Sequence, residues 1–196
     1  MLFRSLDAML RSERLDAIIE LNGHTAGGRL PALARKPAPV IVSVIGYPNT
    51  TGVPAVDWRV VDSVTDPPGV EAWCTERLLR LDPCFLCFSP PDEAPDPAMP
   101  PADAPVTFGS FNNITKIGDA SLDLWARVLR AVPGSRMLLK FLGSADRGAC
   151  GRVLERFSAR GVEAGRIEIA PYTPDRRAHL ALYNRMHVAL DTVPYN

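Results

Sequence analysis

Along the chain, apolar runs of strand length alternate with longer segments whose apolar residues recur every three or four positions. That is the pattern of an α/β protein with parallel sheets. Three runs in the first half, residues 15–21 (LDAIIEL), 38–46 (APVIVSVIG) and 57–63 (DWRVVDS), predict strands bounded by Gly, Pro or Asp. The polar, glycine-bearing loops NGHTAGGR and GYPNTTG lie between them. Residues 70–81 place Trp73, Leu78 and Leu81 at helical spacing and predict a helix. The segment SPPDEAPDPAMPPADAP (89–105) is proline-rich, acidic and aperiodic, a linker or a long surface crossing. The expected organisation is a first domain over 1–88, a linker over 89–104 and a second domain over 105–196.

After this break the alternation restarts. PVTFGSF predicts a strand, and SLDLWARVLRAV a helix on which Leu122, Trp125, Leu129 and Val132 form one apolar stripe. RMLLKFL and RIEIAP predict two further strands. RGACGRVLERFSARG, capped by Gly161, and TPDRRAHLALYNRM, capped by Thr173 with Pro174 at its first position, predict helices. HVALDTVPYN predicts a last strand with no helix after it, so the chain is expected to be a fragment, or a truncated relative, of something longer.

Composition narrows the partners. With 196 residues, 46% hydrophobic, the chain can bury one sizeable core or two small ones. Zero net charge with dispersed basic residues gives no electrostatic footprint for nucleic acid or an anionic membrane. No apolar run has the length of a membrane span, and the opening MLFRSLDAMLRSERLD is too charged for a signal peptide, which points to the cytosol. Cys84 and Cys87 make a lone C-x-x-C, and Cys74 and Cys150 stand at no matching spacing, so all four are expected to be packing cysteines.

The candidate chemistry follows predicted strands. In TFGSFNNITKIGD the strand ends in Asn112, Asn113 and Lys116, at the edge where open α/β sheets gather ligands. Turn amides, two carboxamides, an ammonium and the positive end of a helix beginning near Ser121 make a donor set suited to phosphate oxygens. The plainer reading, in which the asparagines satisfy turn geometry and Lys116 is a solvated charge, stays open. His24 in the first glycine loop is a candidate acid or base, or a loop histidine bonded to backbone. Asp16 and Glu20 flank the preceding strand, as turn and edge carboxylates. His179 lies on the helix over 174–186, one turn before Tyr183. No P-loop, G-x-S-x-G elbow, H-E-x-x-H helix, dinucleotide fingerprint or Asp-x-Asp clamp occurs.

LDAIIELNGHTAGGRL, GYPNTTGVPAVDWRVVDSVTDPPG, ERLLRLDPCFLCFSPP, FGSFNNITKI and HLALYNRMHVALDTVPYN together resemble the catalytic region of the SPINDLY and O-GlcNAc transferase glycosyltransferases, family 41. The resemblance runs from about Leu15 to the end, and FLCFSPP and GYPNTTG are more like the SPINDLY branch. It implies a GT-B fold of two Rossmann-like domains, and inverting transfer of a sugar from UDP-GlcNAc or GDP-fucose to protein Ser or Thr hydroxyls, without a catalytic metal. By matching position, it makes Lys116 the phosphate-binding lysine, Asn113 a neighbour facing the diphosphate and His179 the histidine that packs on the nucleobase. Thr25, Gly46 and Pro48 fall in the loops on the sugar side. His187 stands where relatives usually have Asp. In relatives PYN runs on into a Gly- and Thr-rich turn, and they carry an earlier segment with a further active-site histidine, so the resemblance assigns no general base here. The alternative is a non-catalytic remnant serving as a nucleotide-binding or interaction module.

Overall fold

The computed structural model describes residues 2–195. They form two compact units, Met1–Ser89 and Pro90–Asn196. In the first, β1 (Ala17–Glu20), β2 (Val40–Ser43), β3 (Trp58–Val61) and β4 (Arg77–Arg80) pair in chain order, all parallel. Leu30 and Leu33 of the short helix α2 (Leu30–Leu33) bury against Ile41 and Val56, with Leu10 of α1 (Leu2–Ser12) alongside. Helix α1 forms from the charged opening segment, whose charges argue against a signal peptide. Its Asp7 is buried and bridges Arg11 and Arg35 at 3.0 and 3.2 Å.

The helix expected over 70–81 is corrected. Val70–Trp73 is a single 3-10 turn, and Arg77–Arg80 is an edge strand paired with β3 over four residues. Tertiary contacts override the helical spacing. Glu76 is drawn in by Thr50 and Thr51, the Arg77 guanidinium stacks 3.9 Å from the Trp58 ring, and Trp73, meant for the core, is 82% exposed.

The second unit orders its strands β7 (Ile167–Ile169), β6 (Arg136–Leu139), β5 (Thr107–Ser110), β8 (Val188–Ala189), again all parallel. Helix α3 (Asp119–Ala131) carries the predicted stripe: Leu122, Trp125 and Leu129 are fully buried against Met137 and Leu139 of β6 and Phe157 of α4 (Arg147–Ser158). Trp125 Nε1 donates to the Asp191 carbonyl at 3.1 Å, fastening α3 to the end of β8. The last helix is shorter than expected, α5 (Arg176–Ala181) followed by a 3-10 turn (Leu182–Arg185). Its cap is Asp175, whose carboxylate accepts from Ala178 N; Thr173 only steadies Asp175 N at 3.3 Å. A carboxylate at the positive helix end is the stronger cap.

One further expectation changes, that for the cysteines. The proline-rich segment is held to the second unit, where Asn184 donates to the Asp96 carbonyl (2.9 Å) and accepts from Ala98 N (3.1 Å). Cys84 and Cys87 are exposed, so they are not packing cysteines, whereas Cys74 and Cys150 are partly buried. Prolines and the following polar run keep the Cys84–Cys87 loop off any core. No helix among the described residues is long and apolar enough to cross a membrane.

Candidate functional site

Chain order in the second sheet reverses at β5. The chain goes from β5 through β6 to β7, then returns past β5 to β8, and such a switch point leaves a crevice at the carboxyl ends of the strands. Phe111 follows β5, Lys140 follows β6, Tyr172 follows β7 by three residues and Asp191 follows β8. Two cavities open there and share Phe111: one of about 320 Å³ lined also by Lys140, Tyr172, Arg176 and His179, and one of about 250 Å³ lined also by Ser110, Asn112, Tyr183 and Asp191.

The first cavity is aromatic on one side and cationic on the other. Phe111, His179 and Tyr183 form a ring cluster with centroids 4.7 to 5.8 Å apart. Lys140 is buried, its Nζ 2.7 Å from His179 Nδ1 and 5.6 Å from the Tyr172 ring centroid. Burial lowers the lysine, and burial reinforced by the lysine charge lowers His179, so the imidazole is held neutral. Burial pushes the Tyr183 hydroxyl up. A flat ring system with polar edges fits such a slot.

Of Asn112, Asn113 and Lys116, Asn112 lines the second cavity and the other two follow it in the chain. Asn112 Nδ2 donates to Asp191 Oδ1 at 3.0 Å. Asn113 caps the 3-10 turn Ile114–Lys116, its carbonyl oxygen accepting from Thr115 N at 3.1 Å. This is the turn-geometry reading in part, since one end of the carboxamide is occupied. Lys116 lines neither cavity, and its ammonium stands 4.8 Å from the Tyr195 ring centroid, beside the start of α3. Ser121 Oγ binds Val193 through both its N and its O, which brings the segment after β8 against this turn. The Ser110 hydroxyl is buried in the second cavity without a partner among the described residues.

In the first unit the two glycine loops pack on one another. His24 Nε2 lies 2.9 Å from the Thr51 carbonyl and its ring meets Tyr47 edge-on at 5.0 Å, the backbone-bonded alternative for this residue. Glu20 is a buried carboxylate, not an edge group, and accepts from Asn22 N, Gly23 N and Ser43 Oγ. Thr25 is an exposed turn residue whose hydroxyl donates to the Asn22 carbonyl at 2.7 Å. Gly46 packs so closely on the Leu21 carbonyl that a Cβ would overlap it. Pro48 is exposed beside a cleft of about 30 Å³ that includes Arg59 and Asp66, themselves a buried ion pair. Thus Lys116 and Asn113 neighbour each other, His179 lies in the adjoining cavity, and Thr25, Gly46 and Pro48 belong to the other unit. Sequence reading missed Lys140. Its signal was the one used for Lys116, a lone cation at a strand's carboxyl end, hidden because RMLLKFL reads as one unbroken strand.

Residues 7–88 match the family model described as glycosyl transferase family 41. The SPINDLY protein of Arabidopsis thaliana, described as a probable UDP-N-acetylglucosamine–peptide N-acetylglucosaminyltransferase, is 42% identical over 98% of this chain and 21% of its own length. Its namesake in Petunia hybrida is 41% identical over the same shares. A mutant of the Thermobaculum terrenum O-GlcNAc transferase superposes with a TM-score of 0.89 at 39% identity, covering 98% of this chain and 36% of that one. The chain spans about a fifth of the length of the curated relatives it matches.

Proposed function

The chain belongs to glycosyltransferase family 41, and from that premise we propose that it forms part of the catalytic region of a cytoplasmic protein O-glycosyltransferase. The donor is a nucleoside diphosphate sugar, UDP-GlcNAc or GDP-fucose, and the acceptor a Ser or Thr hydroxyl of a protein. The observation that carries this reading is the clustering of an aromatic slot, two lysines and a helix start at the carboxyl ends of β5 to β8.

The slot takes the base beside Phe111 and His179, with Tyr183 packed on both rings. The diphosphate lies toward Lys116 and the turn that Asn113 caps. When the acceptor oxygen attacks the anomeric carbon from the face opposite the diphosphate, the bond to the leaving oxygen breaks through an oxocarbenium-like state. Negative charge then grows on the diphosphate, where Lys116 and the positive end of α3 stabilise it. No metal enters this reading, because protein cations and amides take that charge. The part given to Thr25, Gly46 and Pro48 rests on the family resemblance alone.

Isothermal titration of UDP and GDP, separately, against the chain tests the reading. One of them should bind, and Lys116→Ala should weaken it; activity of the longer protein on a peptide acceptor should be indifferent to a chelator. If neither nucleotide binds, or if the variant binds as well as the wild type, the site is wrongly assigned.

A further inference from the structure

The contact between Lys140 and His179 determines more than a charge. An ammonium has three donors and no acceptor, so the 2.7 Å approach of Lys140 Nζ makes His179 Nδ1 the acceptor. The imidazole proton must then sit on Nε2, for which no partner exists among the described residues. The charged groups around the ring are consistent with this. Lys140 faces it from the end of β6 and Tyr172 from the end of β7; Tyr183, in the turn after α5, meets it edge-on at 5.8 Å. On its own helix, the Asp175 carboxylate is engaged at the α5 cap, and Arg176 adds a second positive charge beside the cavity. Every cation near the ring opposes its protonation.

We propose that Lys140 is a positioning residue: it locks His179 as the neutral, Nε2-protonated tautomer, so the cavity presents one fixed N–H donor to a ligand acceptor such as a nucleobase carbonyl. The tautomer is a property of the chain alone. Only the last step, the ligand acceptor, rests on the nucleotide reading above.

The test separates the two. The chain has three histidines, so nitrogen NMR of ring-labelled protein without nucleotide gives three ring signals, that of His179 identified by its loss in His179→Gln. The wild type should show protonated Nε2 and bare Nδ1, titrating below the ordinary 6.5. Lys140→Met, which keeps the buried stem, should mix the tautomers and move the titration up toward 6.5, and Lys140→Arg should restore the wild-type pattern at least in part. A protonated Nδ1 in the wild type, with lysine as the acceptor, overturns the proposal, as does a Lys140→Met spectrum indistinguishable from wild type. UDP or GDP affinity, referenced to the titration of the nucleotide's own terminal phosphate at about pH 6, should follow the His179 ring titration in both proteins and so shift to higher pH in Lys140→Met. Loss of that coupling with the tautomer intact would reject the nucleobase carbonyl as the acceptor, and absence of any nucleotide binding would reject the function while leaving the tautomer standing.

Discussion

The two units end their strands in opposite chemistry. In the first, strand-end loops close on carboxylates: Glu20 accepts from Asn22 N and Gly23 N, Glu76 from Thr50 and Thr51, Asp62 from Val64 N and Thr65 N, and Asp82 from Ser63. In the second, the ends of β5 and β6 bring lysines over aromatic rings, Lys116 beside Tyr195 and Lys140 beside Tyr172. A loop whose amides already serve a buried carboxylate has few donors left for a phosphate, and its charge repels one. At the ends of β5 and β6 the second unit has the complementary sign, with the Asp191 carboxylate after β8 held by Asn112. The proposed placement of a diphosphate in the second unit thus has electrostatic support that does not depend on the family resemblance.

The sharpest way to break this comparison is Lys116→Ala, read in the longer glycosyltransferase that the proposed function calls for. Loss of one preorganised group that stabilises developing charge typically lowers kcat by about two to three decades, while the lysine, half-buried on a surface turn, contributes little packing. Rate and thermal stability should separate, with kcat falling and the melting temperature within about 2 °C of wild type. Equal losses in both would make Lys116 a structural residue and erase the contrast.

Gly46→Ala tests the other side. The new methyl group would overlap the Leu21 carbonyl, which is backbone and cannot swing away. Overpacking of this kind costs about 1–3 kcal/mol. Hydrogen exchange should report it in the first unit only, with the amides of β5 and β6 unchanged; protection lost equally in both units would mean that they do not fold as separate bodies. Glu76→Gln should act in the same unit and more weakly, at about 1–2 kcal/mol, since the amide keeps the oxygen that accepts from Thr51 N but turns its NH2 on the Thr50 hydroxyl, which already donates. Thr51 amide exchange reads it directly.

Period and punctuation made most of the fold legible. The parallel strands of the two sheets and the helix stripe of Leu122, Trp125 and Leu129 follow from local pattern, because each was encoded within a dozen residues. What local pattern could not carry was pairing. Leu78 and Leu81 read as helical until β3 claims Arg77–Arg80, and Glu20 reads as an edge charge until the Ser43 hydroxyl and the Asn22 and Gly23 amides surround it. The site divided similarly. Lys116 and Asn113 were visible at a strand end, but the Lys140–His179 contact spans 39 positions and exists only once β6 and α5 have come together.

Acid should expose the same asymmetry in its mildest form. In the first unit, Glu76 is held below its ordinary 4.5: burial alone would raise it, but the Thr51 and Thr50 bonds outweigh that. Asp62 and Asp82 lie below 3.8, chiefly through the backbone N–H groups of Thr65 and Ser63. A depressed carboxylate contributes stability that is complete above its unfolded value and lost as pH falls through its folded one, so the first unit should weaken only below about 4.5. His179 has the other sign of charge but the same direction. Its folded value is lowered, so the unfolded chain takes up the proton first, and the second unit should lose a small increment as pH falls below 6.5 and no more once the folded value is passed. Tryptophan fluorescence distinguishes them, because Trp58 and Trp73 lie in the first unit and the fully buried Trp125 in the second. In Trp58→Phe/Trp73→Phe protein, denaturant midpoints read from Trp125 should begin to fall near pH 6.5, and in Trp125→Phe protein the Trp58 signal should hold its midpoint to about 4.5. If Lys140→Met is added, burial still lowers His179 but the lysine charge no longer does, so the Trp125 decline should shrink. An unchanged decline would show that the pH dependence comes from elsewhere in the unit.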